Sequence, residues 1–259
     1  MNLEFVESLQ DVSAKPLNNL SGAYQAVGEL MDPRFGGNCI AKCFDVAGFS
    51  RNFGMSVLTL IAAKTHRACL ITNQDGEKFF FDPSLMMSTP EFINDNLLMD
   101  EIDHDCINPC DFPAIFYSSV SLFGTTSNFS VNWELETPVG SYDYSYNFSF
   151  ENSDLYFPRM DVADRHRGKP DSLFLRFLNK EDGFLYRVQY MSFSGKIVLI
   201  PHFTSKVYYL DSKSTHVKTL ISEMESSLDI SENEIRQFFS NSHEIVQDAS
   251  LIWSRKDAV

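Results

Sequence analysis

The sequence predicts an α+β protein, helical at both ends and built of strands between them. Three observations carry this. Apolar residues recur at helical spacing within residues 1–50. Short apolar runs separated by turn residues fill 55–200. Helical spacing returns from 215 onward.

The elements follow in order. AYQAVGELMD (23–32) spaces Tyr24, Val27 and Leu30–Met31 about one helical turn apart, and Pro33 is expected to stop that helix. In PRFGGNCIAKCFDVAGF (33–49), Ile40, Cys43, Phe44 and Ala47 repeat at helical spacing, with Asn38 as the expected N-cap and Gly48 as the expected stop. MSVLTLIAA (55–63) suits a buried strand. ACLIT (68–72) and EKFFF (77–81) flank Asn73-Gln74-Asp75-Gly76, a hairpin signal. Residues 120–156, rich in Ser, Asn, Tyr and Phe, are expected to be irregular strands and loops without a clear period. SLFLRFL (172–178) and FLYRVQYM (184–191) flank a second turn, and GKIVLIPHF (195–203) and KVYYLD (206–211) continue as strands. THVKTLISEMESSL (215–228) sets Val217, Leu220, Ile221, Met224 and Leu228 on one stripe. Ser231 and Glu234 form a capping box that opens a helix over 232–240. The polar tail 240–259 is expected to be loosely held.

Composition narrows the function. The apolar share, 44%, and charged share, 22%, are those of an ordinary globular protein. With 23 phenylalanines, aromatic packing should dominate the interior. A net charge of −14 argues against nucleic-acid binding, which needs a basic footprint, and fits cationic or amine-bearing partners. The first residues carry acids and no apolar run, so no secretory leader is expected, and no stretch is long and apolar enough to predict a membrane span. Five cysteines, an odd number, point to free thiols in a reducing, cytoplasmic setting.

The chemistry centres on Cys39. It is expected in the first turn of a buried helix, where the helix N-terminus favours a thiolate. Gly36 and Gly37 just ahead permit a tight turn and close approach of a substrate to the backbone, so Gly36, Gly37 and Asn38 are the expected substrate-binding residues. Cys43, one turn on, is expected to be core. His66 opens a predicted strand, and Asp82 closes another sixteen residues later, past one hairpin. The hairpin returns the chain beside its start, giving a carboxylate a route to one imidazole nitrogen and leaving the other for a thiol. His104 and His166 sit in charged surroundings and are expected to be solvated, and His202 could line a pocket. Three alternatives stand beside the triad. Cys39 could be an inert core thiol. Cys39 and Cys43 could join His104, Cys106 and Cys110 at a metal, although structural zinc sites favour shorter spacings. The fold could also persist without catalysis.

Gly36-Gly37-Asn38-Cys39, followed by Gly48-Phe49 and Phe53-Gly54-Met55-Ser56-Val57, resembles the arylamine N-acetyltransferase family. The block from His66 through Asp75-Gly76-Glu77 to Phe81-Asp82 is similar to that family's His–strand–Asp-Gly–strand–Asp block. The order Cys, His, Asp-Pro is shared with the wider transglutaminase-like cysteine superfamily. The match is detailed over 34–85 and weaker over 170–240. The resemblance implies an N-terminal helical bundle carrying the cysteine (1–54), a central β-barrel carrying His66 and Asp82 (55–170) and a C-terminal α/β lid (171–259). It implies catalysis by Cys39, His66 and Asp82, moving an acyl group by a ping-pong route to a small-molecule amine or hydroxyl acceptor. The donor would be an acyl-CoA or acyl-carrier-protein thioester, which makes an acyl carrier protein a possible partner. No permanently bound cofactor or metal is implied. A hydrolase or peptidase on the same triad is the alternative. The sequence departs from the family where Phe35 separates Arg34 from the glycine pair, at Ala41 and Cys43 beyond the cysteine, and at Pro83-Ser84-Leu85 after the aspartate. The clusters Arg165-His166-Arg167-Gly168-Lys169 and Lys213…Lys218 are the expected donor-docking patches.

Overall fold

The structure, a computed structural model, describes residues 2–62, 66–85, 87, 89–93, 117–125, 128–137, 140–154, 173–182, 184–201, 204 and 206–256. Among them, in chain order, are α1 (Leu3–Ala14), β1 (Leu17–Asn18), α2 (Ser21–Val27), α3 (Cys39–Ser50), β2 (Ser56–Ala62), β3 (His66–Thr72), β4 (Lys78–Phe81), β5 (Glu91–Ile93), β6 (Tyr117–Thr125), β7 (Asn128–Thr137), β8 (Gly140–Asp154), β9 (Leu173–Leu178), β10 (Leu185–Met191), β11 (Lys196–Pro201), β12 (Tyr208–Tyr209), α4 (Thr215–Leu228) and α5 (Glu232–Lys256). The class is mixed α+β with two antiparallel sheets. The chain divides into two compact units: Met1–Ala14 with Cys39–Pro158, and Lys15–Asn38 with Arg159–Val259. No described helix is long and apolar enough to cross a membrane.

The first unit holds a seven-stranded sheet in the order β5-β4-β3-β2-β8-β7-β6. Among the described residues this sheet is open, with β5 and β6 at its edges, where a closed barrel was expected. The reason is that β6, β7 and β8 pair as a continuous meander on the outer side of β2. Closure would need a further ladder between β5 and β6. The meander also corrects the expectation of irregular structure over 120–156. Nine residues of β6 pair with β7, from Tyr117↔Glu136 to Thr125↔Asn128. The hairpin between β3 and β4 forms as expected, closed by Asn73, whose side-chain oxygen accepts from the Asp75 and Glu77 amides at 3.0 and 2.9 Å.

Helix α3 packs on β2 and β3, and α1 packs on α3. α1 buries Phe5, Leu9 and Val12, one stripe at 3–4 residue spacing. The Phe5 ring meets Phe49 and Phe53 edge-on at 5.7 and 5.3 Å. Gly48 does not stop α3: the helix passes through it to Ser50. A 3₁₀ turn and then Gly54, at φ 69°, end it.

The second unit holds a five-stranded sheet, β1-β9-β10-β11-β12. Along β9, Leu173, Leu175 and Phe177 are buried while Phe174, Arg176 and Leu178 are half-buried, the alternation of a sheet with one packed face. That face shares a core with Val217, Leu220, Ile221 and Met224 of α4 and Ile235, Phe238, Phe239, Val246 and Trp253 of α5. The capping box is made: the Ser231 amide donates to the Glu234 carboxylate at 2.9 Å, and the Glu234 amide donates to the Ser231 hydroxyl at 3.3 Å. The helix it opens runs 25 residues, through the tail expected to be loose. Val246, Ala249 and Trp253 anchor that tail in the core. Helix α2 ends earlier than Pro33, at Gly28, whose φ of 77° caps it.

Candidate active site

Each triad candidate is delivered by a different local device. Cys39 is the first residue of α3, where helical amide N–H groups lack intrahelical acceptors. His66 is the first residue of β3, paired in register with Ala62 across the β2–β3 hairpin. Asp82 follows the last residue of β4, at Asp82-Pro83, where proline cannot continue the ladder. Because Cys69 pairs with Phe81, extending the register sets Asp82 opposite Ala68, two residues from His66 on the same face. Diagonal neighbours of this kind lie within reach of long side chains.

The contact is made. His66 Nε2 lies 2.5 Å from Asp82 Oδ2. The imidazole is mostly buried and the carboxylate fully so, at 13% and 0% exposure. The Cys39 thiol hydrogen-bonds the same imidazole. With Nε2 committed to Asp82, Nδ1 is the ring nitrogen open to the sulfur. Burial alone would pull the His66 pKa down. The charge of Asp82, its hydrogen bond, and the hydrogen bond and charge of Cys39 outweigh burial and lift it to about 10.

The carboxylate is itself held. Asp82 Oδ1 accepts from the Ser84 amide at 2.9 Å, an Asx turn, and the Asp82 amide donates to Met87 Sδ at 3.2 Å. These bonds aim the second oxygen at the imidazole. On β8, the fully buried Phe148 brings its ring to 6.0 Å from that of His66. Behind β3, the fully buried Arg67 donates from Nη1 to the His66 carbonyl at 3.0 Å. One turn along α3, Lys42 is 3% exposed, and its Nζ donates to the Ser13 carbonyl at 3.0 Å and the Pro83 carbonyl at 3.4 Å.

Cys43 contrasts with Cys39. Burial, reinforced by a hydrogen bond to Cys69 and by the charges of Cys69, Cys39 and Asp82, pushes its pKa well up. It stays a thiol at neutral pH, in keeping with a core role. None of Cys39, Cys43 and Cys69 is in a disulfide.

The glycine pair has a structural account within the second unit. Gly36 adopts φ 67°, and a Cβ there would sit 1.9 Å from the Pro16 carbonyl oxygen. The Gly37 amide donates to that same oxygen at 3.2 Å, and its carbonyl accepts from Asn18 at 3.2 Å. The Asn38 amide donates to Ser21 Oγ at 3.0 Å. Contact with Pro16 accounts for Gly36 without a ligand. Arg34 is engaged by Asp32 at 2.7 Å and Glu234 at 3.0 Å.

Some expectations fall elsewhere. Arg165, His166, Arg167, Gly168, Lys169, His202, and the additional metal candidates His104, Cys106 and Cys110, lie outside the described residues. Among the described residues, no group of three His, Cys, Asp or Glu is arranged to hold a metal. Lys213 and Lys218 are exposed at the start of α4. Sequence reasoning missed Phe148, Lys42 and Ser84. Of these, Ser84 was findable, since Asp-Pro-Ser is an Asx-turn signal. Compared with known proteins, the chain matches no family model and no curated sequence.

Proposed function

We propose that Cys39, His66 and Asp82 form a nucleophilic triad that transfers an acyl group from a thioester to an amine or hydroxyl acceptor. One observation carries this reading: a single buried imidazole is shared between a buried carboxylate and a thiol at a helix N-terminus. An imidazolium with a pKa near 10 is charged at neutral pH and stabilises a thiolate partner. The thiolate attacks the carbonyl carbon of the donor, and collapse of the tetrahedral adduct expels the donor thiolate, which takes a proton from His66. Cys39 then holds the acyl group as a thioester. The acceptor attacks, passes its proton to the now neutral His66, and leaves as amide or ester while Cys39 returns to thiolate. Amides of the first turn of α3, which lack intrahelical acceptors, are the candidate oxyanion donors.

The arylamine N-acetyltransferase resemblance belongs to this proposal. It is supported by a helix-borne cysteine beside an antiparallel sheet that carries the histidine and presents the aspartate. A CoA or carrier-protein thioester suits the triad because thioester exchange with a cysteine is nearly balanced, so the acyl-enzyme keeps the energy needed to form an amide.

Intact-mass measurement tests the reading. The protein is incubated with a panel of acyl-CoA and acyl-carrier-protein thioesters. The expected result is a mass increase of one acyl group, absent in Cys39→Ser and discharged faster by amines than by buffer. Rapid discharge by water alone would make the protein a hydrolase. No adduct from any donor would overturn the proposal.

A further inference from the structure

We infer that Lys42 is a positioning residue for the triad, an internal counter-cation that ties the Cys39 helix to the Asp82 turn. The inference rests on the triad reading above. A buried ammonium is costly unless its charge and donors are matched, and a methionine of similar length would fill the same space without that cost. Lys42 is nevertheless 3% exposed. Both acceptors given above are informative. The Ser13 carbonyl lies in the last turn of α1, where carbonyls lack helical partners and the helix dipole is negative. The Pro83 carbonyl belongs to the residue after Asp82. One side chain, three residues beyond Cys39 on the same helix, therefore spans α1, α3 and the carboxylate-bearing turn.

The charge has an electrostatic use as well. A thiolate, an imidazolium and a carboxylate sum to one negative charge in a desolvated place, and Lys42 and Arg67 are buried cations held by the backbone carbonyls of Pro83 and His66. The other ionisable groups on the elements Lys42 bridges and on the adjoining β3 are His66 and Asp82, the thiols Cys39, Cys43 and Cys69, the buried Arg67 of β3, and the exposed Glu4, Glu7, Asp11 and Asp45. Asp11 and Asp45 face solvent and are screened. Losing Lys42 should therefore remove the cation tied to the Asp82 turn and leave Arg67 as the remaining buried cation of the two, which raises the cost of ionising Cys39.

The test is the pH dependence of Cys39 alkylation by iodoacetamide, in wild type, Lys42→Met and Lys42→Arg, with circular dichroism to verify folding. In Lys42→Met the thiolate midpoint should rise by about one unit, slowing alkylation about tenfold below it. Lys42→Arg, still charged, should recover most of the loss. A Lys42→Met profile that superimposes on wild type, even with a lowered melting temperature, would overturn the inference. If Lys42→Met does not fold, Lys42→Met/Asp82→Asn removes one buried charge of each sign and should fold; failure of that double variant also counts against it. A wild-type Cys39 that titrates as an ordinary thiol, near ~8.5, would instead defeat the triad reading itself.

Discussion

The ring of Phe148 stands 6.0 Å from that of His66 and meets Phe80 edge-on at 5.5 Å, so a strand distant in sequence supplies the apolar wall of the imidazole. An apolar wall of this kind lowers the local dielectric, which strengthens the His66–Asp82 contact.

Phe148→Ala should therefore act twice. Emptying a fully buried aromatic site should cost about 3–5 kcal/mol in urea unfolding. Water admitted to the imidazole should also slow Cys39 alkylation. Phe148→Leu, which keeps most of the volume, should lose less of both. Equal alkylation rates in all three proteins would show the ring to be filler.

Among Cys39, Cys43 and Cys69, iodoacetamide near neutral pH should label Cys39 first. Cys43 is held protonated by burial and by Cys69, whereas Cys39 adjoins a protonated base. Peptide mapping after partial labelling checks the order, and early modification of Cys43 would count against it.

Asp82→Asn should leave the fold in place, because the amide oxygen can still accept from Ser84. It should cut turnover by orders of magnitude, since a neutral partner cannot stabilise imidazolium. Stability should change with pH in a defined way. The His66 pKa lies above its ordinary 6.5, so the protonated ring stabilises the fold in full below 6.5 and that stabilisation fades as pH rises through about 10. In Asp82→Asn, burial and Cys39 remain without the carboxylate, so the stabilisation should be smaller and its loss complete at lower pH. Urea unfolding across this range in both proteins measures the displacement.

Gly36→Ala should destabilise the protein with no ligand added. The residue would need a φ of 67° and would force its methyl onto the Pro16 carbonyl. Strain of this kind costs on the order of 1–3 kcal/mol before any clash is counted. Thermal unfolding of the substrate-free protein is the readout; an unchanged melting temperature would return the glycine to a purely ligand-facing role.

Much of the triad geometry was legible because it rests on local signals. A cysteine preceded by glycines and followed by helical spacing, and a His and Asp bracketing a hairpin of fixed length, need no distant partner to be placed. The β6–β8 meander was also written in the chain: Phe129, Val131, Trp133 and Leu135 alternate with polar residues, as do Tyr142, Tyr144, Tyr146 and Phe148. Its Ser and Asn content hid a period of two, although Ser145 and Asn147 are exposed where Phe148 is buried. The long α5 was missed for a related reason. Polar residues dominate 240–256, and Val246, Ala249 and Trp253 supply its buried apolar side chains. Two features lay beyond local reading. Whether the sheet closes depends on which strands meet across large sequence separations. Lys42 looked like any surface lysine until two carbonyls from other segments were seen to surround it.

The peptide bond between Asn38 and Cys39 is the point where the chain leaves one unit for the other. The excursion from Lys15 to Asn38 has consequences for synthesis on the ribosome. Residues 1–14 and 39–158 can assemble once that stretch has emerged, but strand β1 must wait for β9, its partner through Leu17↔Arg176, and α2 must wait for α5. The helix that begins at Cys39 can thus dock early, while the glycine turn just before it closes later. A nascent chain halted after the first unit would expose Leu20, Ala23, Tyr24 and Phe35 as an apolar loop next to Cys39. For the same reason, neither unit can be cut out as one continuous fragment.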